Sequence, residues 1–183
     1  MRTLSLIVLV LAAGCNKQKS AESEAPSVYV ERPAEDGLVR AEIDLNADGN
    51  ADVFNYYRER EMAARLLVKK EIDLNWDGRV DVRSYYDEAG VLIREEMDGD
   101  FDGGIDWVDH YQGARRVLSE VDTEYDGTFD LLKYYEQGKI RRKERDSDND
   151  GKVDYWEYFN DAGEVEKVGR DIDGDGVMDI REE

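Results

Sequence analysis

The sequence predicts a mainly β fold: an antiparallel meander of about five to six tandem β-hairpin repeats with a period of 24–25 residues, joined by acidic loops. Three observations carry this. An acidic nonapeptide, D-x-[DNE]-x-D-G-x-x-D, occurs six times, starting at Asp44, Asp73, Asp98, Asp122, Asp146 and Asp171, with spacings of 29, 25, 24, 24 and 25 residues. Such a fixed spacing marks one supersecondary unit per repeat. Behind the first five copies stand VFNYY, VRSYY, WVDHY, LLKYY and YWEYF, β-branched and aromatic segments that favour strands. Four of the five complete repeats then carry a turn signal, DEAG at 87–90, QG at 112–113, EQG at 136–138 and NDAG at 160–163, ahead of a charged return segment such as VLIREEM or KIRRKER.

Taken in order, residues 1–14 hold Arg2 and an apolar stretch from Leu4 to Ala13, too short to span a bilayer and therefore read as an export signal. The run Leu11-Ala12-Ala13-Gly14-Cys15 resembles the lipobox of bacterial lipoproteins, with Ala12 where Leu is more usual. That resemblance implies cleavage before Cys15, acylation of Cys15 and a membrane partner held through this lipid anchor. It also implies the outer membrane, since Asn16 stands where an Asp would retain the protein at the inner one. Residues 15–27 form the lipidated cysteine and a polar, aperiodic stretch, NKQKSAESEAPS, that reads as a tether. Residues 28–183 are the repeat domain.

Residues 28–43 read as an opening hairpin without an acidic loop of its own. From there each repeat is strand, tight turn, strand, loop. Alternate connections of a meander lie on opposite edges, so the acidic loops gather at one edge and the Gly turns at the other. The first repeat is irregular: RERE followed by MAARLLVKK has extra residues, no turn Gly, and room for a helical turn. An open sheet, a stacked solenoid and a closed barrel all satisfy the periodicity. A propeller does not, because its blades need four strands each.

The nonapeptide carries the chemistry. A hard dication such as Ca2+ takes six to eight oxygen ligands, and a tight turn can aim alternate side chains at it. Position 1 supplies Asp44, Asp73, Asp98, Asp122, Asp146 and Asp171. Position 3 supplies Asn46, Asn75, Asp100, Glu124, Asp148 and Asp173. Position 5 supplies Asp48, Asp77, Asp102, Asp126, Asp150 and Asp175, and position 9 supplies Asp52, Asp81, Asp106, Asp130, Asp154 and Asp179. Glycine at position 6 lets the backbone reverse where a Cβ would resist, and the carbonyl of position 7 can face the ion. Magnesium suits the pattern less, because it keeps its waters.

Charge follows the loops. Residues 15–183 carry 24 basic and 45 acidic side chains, and 22 of the acids sit at loop positions 1, 3, 5 and 9, so the rest is nearly neutral. A net charge of -20 disfavours nucleic acid as a partner. One Cys and one His exclude an internal disulfide and the usual zinc site.

The nonapeptide is similar to the calcium loops of FG-GAP propeller repeats and thrombospondin type 3 repeats, and YYDEAGVL and YYEQGKI resemble MORN-type hairpins. DSDNDGKVDYWE also matches the twelve-residue EF-hand loop, with Glu157 at position 12, and the sixth loop places Glu182 there. The EF-hand resemblance implies the ion and makes Glu157 and Glu182 possible extra ligands. Its helical frame does not fit, because twelve residues remain between loops for two helices and they are aromatic and Gly-broken. No nucleophile elbow, P-loop or dinucleotide fingerprint is present. His110 stands where the other complete repeats have Tyr and reads as a strand-face substitution rather than a catalytic group. The expectation is a non-enzymatic, calcium-stabilised envelope lipoprotein serving as a structural or adhesion scaffold, with no motif naming a protein or glycan partner. The alternative is an EF-hand or dockerin-like helical recruitment module.

Overall fold

A computed structural model describes residues 28–182; the export signal, Cys15 and the tether lie outside the described residues. Thirteen strands form one antiparallel sheet in strict sequence order. They are β1 (Val28–Pro33), β2 (Val39–Asp44), β3 (Val53–Arg58), β4 (Leu66–Ile72), β5 (Val82–Tyr86), β6 (Leu92–Met97) and β7 (Trp107–Gln112), followed by β8 (Arg115–Val121), β9 (Leu131–Glu136), β10 (Lys139–Arg145), β11 (Tyr155–Phe159), β12 (Val165–Arg170) and β13 (Ile180–Glu182). The expected meander is therefore present. β1 and β13 are its two edges, so the sheet is open, and strands pack mainly on their sheet neighbours, with a few long side chains reaching one strand farther, as Lys133 of β9 does over the Trp107 ring of β7 at 4.2 Å. Among the described residues there is no α-helix, which removes the flanking helices that an EF-hand frame requires.

The stretch before β4 that had room for a helical turn is instead a turn, with Met62 at φ 58°. The turns at 113–114 and 137–138 are two-residue connections with φ positive at both positions (Gly113 56°, Ala114 61°, Gln137 52°, Gly138 81°), the twist that matches antiparallel strands. In DEAG and NDAG, the Asp87 and Asn160 side-chain oxygens instead accept two backbone N–H groups each, at 2.9–3.0 Å. All five of these hairpins contain a register slip, four of them at the last residue of the five-residue aromatic segment (Tyr57, Tyr86, Tyr111, Phe159). One extra residue opposite a pair is a β-bulge, which increases local twist.

A single layer has to cover apolar surface without a second sheet, and it does so with side chains lying across the strands. On one face Tyr56, Tyr85 and Tyr134 donate hydroxyl hydrogen bonds to Glu71, Glu96 and Glu144 of the next strand at 2.7, 3.1 and 2.8 Å. The same glutamates pair along their own strands with Lys69, Arg94 and Arg142 at 2.9–3.1 Å, and Lys69 and Arg142 lie 4.0 Å over the Tyr56 and Tyr134 rings. His110 occupies a rung of this ladder, its Nε2 2.7 Å from Glu120. It replaces a tyrosine in kind, as its sequence position suggested. The stems of the basic residues and the flat rings shield the sheet while their polar ends stay wet.

The opposite face buries Val53, Val82, Val121 and Leu131 in a row next to the loop edge. Farther along it the buried Asp109 carboxylate accepts from Trp107 Nε1 at 2.8 Å and from Ser119 Oγ, and pairs with Arg116 at 3.0 Å. Both buried polar groups are thereby satisfied, as burial demands.

Candidate metal centres

All six nonapeptides connect strands at the same edge: β2 to β3, β4 to β5, β6 to β7, β8 to β9, β10 to β11 and β12 to β13. Neighbouring loops are two strands apart, about 9.5 Å at the usual strand spacing. They are tied through the backbone. The N–H of position 1 in each later loop donates to the carbonyl of position 9 in the loop before it, from Asp73 to Asp52 (2.8 Å) through Asp171 to Asp154 (3.0 Å).

Within each loop three carboxylates are held by backbone N–H groups in one repeated scheme. Position 1 accepts from the Gly at position 6 through Oδ2, at 2.6–2.9 Å in all six loops. Position 5 accepts from position 7 at 2.6–2.9 Å. Position 9 reaches back across the loop mouth and accepts from position 2 at 2.6–3.1 Å. The carboxylates thus cap N–H groups that a loop cannot pair with its own carbonyls, and they are fixed in direction before any ligand arrives. Position 6 runs at φ 88–100° in every loop, as its glycine anticipated. Position 4 is left-handed as well, including Trp76 (64°), Phe101 (68°) and Tyr125 (59°), where bulky side chains are uncommon.

The structure brings together positions 1, 3 and 9. In the third, fifth and sixth loops one carboxylate oxygen from each of these positions lies within 4.8 Å of the others: Asp98, Asp100 and Asp106; Asp146, Asp148 and Asp154; Asp171, Asp173 and Asp179. These acidic clusters have the donor chemistry to hold a metal ion, since three hard oxygens converge with no nitrogen or sulfur among them. The first and second loops have Asn46 and Asn75 at position 3, each donating to its position 5 aspartate (Asp48 and Asp77) at 3.2 Å. In the fourth loop position 3 is the longer Glu124. Position 5 lies outside the three-carboxylate groups, its Oδ1 held by position 7. Glu157 lies in β11, 3.4 Å from Lys143 on the sheet, and Glu182 is exposed in β13, so neither joins a loop cluster.

Two loop residues were not anticipated from the pattern. The Thr123 and Ser147 hydroxyls, at position 2, donate to Asp130 and Asp154 at 2.7–2.9 Å. A hydroxyl at position 2 of the motif was the available signal, obscured by Leu, Gly and Ile at that position elsewhere.

The electrostatics separate capped from crowded carboxylates. Burial acts to raise the Asp122 carboxyl, but N–H groups of Gly127, Asp126, Tyr125 and Glu124 outweigh it and hold it below the ordinary value. The Gly176 N–H does the same for Asp171, with help from Gly174. Asp100 moves the other way: desolvation pushes it up, and the charges of Asp102, Asp106 and Asp98 add to this against one backbone N–H. A carboxylate crowded by three others is the arrangement that a dication relieves. No known protein family matches the chain, and no curated protein matches it either.

Proposed function

We propose that the chain is a calcium-binding cell-envelope lipoprotein, anchored through Cys15, whose loops take up Ca2+ and brace an open β-sheet that serves as a structural or adhesion scaffold. The observation that carries this reading is the convergence of positions 1, 3 and 9 within 4.8 Å, repeated along one edge. Position 5 and the position 7 carbonyl bring the set to five oxygens, and oxygens from outside the loop fill the six to eight that calcium takes. Asn46, Asn75 and Glu124 supply the position 3 oxygen in the other three loops. The lipobox-like run and the short apolar stretch before it support the anchor, and Asn16 after Cys15 supports the outer-membrane placement.

Magnitudes favour a structural ion over a sensor. A site with a dissociation constant of about 0.1–1 mM, the range of extracellular modules, is stabilised by roughly 0.4–1.4 kcal/mol in about 1 mM calcium. Six such sites contribute roughly 2.5–8 kcal/mol, comparable to the stability of a whole domain. A sensor needs a second packing of its elements, and a single sheet in strict sequence order, with its strands packed chiefly on their neighbours, offers none.

Terbium titration, with emission sensitised by Trp76 and Tyr125 in the loops, tests the ion, and thermal melting with and without chelator tests its structural role. The expected results are saturable emission competed by calcium and a melting temperature lowered by chelator. Absence of emission together with a melting temperature indifferent to chelator refutes the proposal.

A further inference from the structure

Eight of the fourteen exposed large apolar side chains among the described residues lie in the six loops. Position 4 presents Trp76 (61% exposed), Phe101 (42%) and Tyr125 (54%) on three successive loops, and position 2 adds Leu45, Leu74 and Ile172. The three aromatics occupy left-handed backbone, where the first, fifth and sixth loops have Ala47, Asn149 and Gly174. Neither packing nor backbone preference explains a large exposed ring there. The loops form one continuous line roughly 50 Å long at the normal strand spacing, cross-linked by Asn149 Nδ2 to Glu124 and Asp126 at 3.1 Å and by Arg79 to the Asp102 carbonyl at 3.4 Å.

The chain that precedes the sheet meets this same edge. Val28 pairs with Asp44, the first residue of the first loop, so residues 1–27 join the sheet at its loop end. Thirteen peptide steps separate Cys15 from Val28, a reach of at most about 45 Å.

We infer that the loop edge docks on an anionic lipid bilayer, with loop-bound calcium bridging to headgroup phosphates or carboxylates while the position 2 and position 4 side chains enter the interface. This rests on the calcium reading above. The loop acids alone repel an anionic surface. A dication held by four side chains and a carbonyl cuts each loop from three or four negative charges to one or two, and it keeps coordination positions for an outside oxygen, so the bridge to a headgroup is direct coordination. Trp and Tyr settle at the headgroup level, and the aliphatic members favour lipid over a glycan, because Leu and Ile offer a sugar ring no stacking surface.

The full-length chain, reconstituted in vesicles of anionic lipid bearing brominated acyl chains, tests the inference through Trp fluorescence. W76F provides the difference signal; Trp107 and Trp156, on the sheet faces, act as internal references. Calcium is expected to blue-shift and quench the Trp76 component, chelator to reverse this, and zwitterionic vesicles to give none of it. A Leu45→Ser, Phe101→Ser, Tyr125→Ser variant, which retains Trp76 as the reporter, is expected to keep its calcium-dependent melting shift and to need roughly tenfold more anionic lipid for the same Trp76 quenching. Unquenched Trp76 in a protein whose melting temperature still rises with calcium overturns the docking and leaves the calcium reading standing. Loss of both effects overturns the calcium reading and the docking together. Protection of Trp76 from aqueous quencher by a soluble polyuronate but not by vesicles overturns the lipid assignment in favour of a glycan.

Discussion

Asp106 separates what a loop carboxylate does for the backbone from what it does for an ion. Its Oδ2 accepts the N–H groups of Gly99 at 2.6 Å and Asp100 at 3.3 Å, and the side chain is nearly buried. Asp106→Ala leaves both donors without their partner. Hydrogen bonds to a charged group contribute about 1.5–3 kcal/mol each, and since one of these is long, the expected loss is about 3 kcal/mol. For a chain of this size that corresponds to roughly 6–12 °C in melting temperature. Asp106→Asn keeps an acceptor oxygen and removes one of the three charges that Asp98 and Asp100 share with it. In chelator it should melt within about 2 °C of the parent, because relief of repulsion offsets the weaker neutral hydrogen bonds. In about 1 mM calcium it forfeits one site, roughly 0.4–1.4 kcal/mol, or about 1–5 °C. The assay is far-UV circular dichroism melting of the two variants and the parent, each in chelator and in calcium. An alanine variant that melts with the parent in chelator refutes the capping role. An asparagine variant equally destabilised in both conditions refutes the ion-binding role and leaves only the cap.

Further outcomes follow from the same geometry. Gly127→Ala places a Cβ at φ 90° with nothing within 4 Å to clash, so its cost is backbone strain alone, about 1–2 kcal/mol by thermal melting; no loss refutes the backbone argument. His110→Tyr should leave the melting temperature unchanged or raised, since tyrosine fills the corresponding rung three times over, while a clear loss assigns His110 a separate role. The phenols of Tyr56, Tyr85 and Tyr134 are pushed above their ordinary value by burial first and then by the glutamates they bond. A raised folded value stabilises the sheet fully below the unfolded value near 10 and loses that contribution as pH climbs through the folded one. Absorbance at 295 nm should therefore show at least three phenols ionising late, together with loss of strand signal; eleven phenols titrating as one class on an intact sheet would contradict this.

The meander, the period and the gathering of the loops at one edge were legible in the sequence because each repeat states them again in local terms: a β-rich run, a Gly turn, an Asp-Gly loop. The Tyr–Glu–Arg rungs were not. KIRRKER reads as a charged strand until pairing places Glu144 opposite Leu132 and within reach of Tyr134, and that registration depends on a one-residue slip that composition does not encode. The loops were legible as oxygen clusters, yet position 5 looked equivalent to positions 1 and 3. Which oxygens remain for an ion depends on which N–H groups the backbone leaves free. The left-handed turn at position 4 was hidden for a plainer reason, since Trp76, Phe101 and Tyr125 are residues that ordinarily argue against it.

That strands touch chiefly their neighbours bears on how such a chain changes over generations. Cutting from Asp106 to the equivalent Asp130 removes one turn, two half-hairpins and one loop, and rejoins Met97's side of the sheet to β9 with strand direction preserved. No second layer has to be refitted, because the described residues form a single sheet. Duplication or loss of 24-residue units can therefore alter the length of the loop edge in steps of about 9.5 Å, so its reach is set by copy number, independently of the chemistry in each repeat.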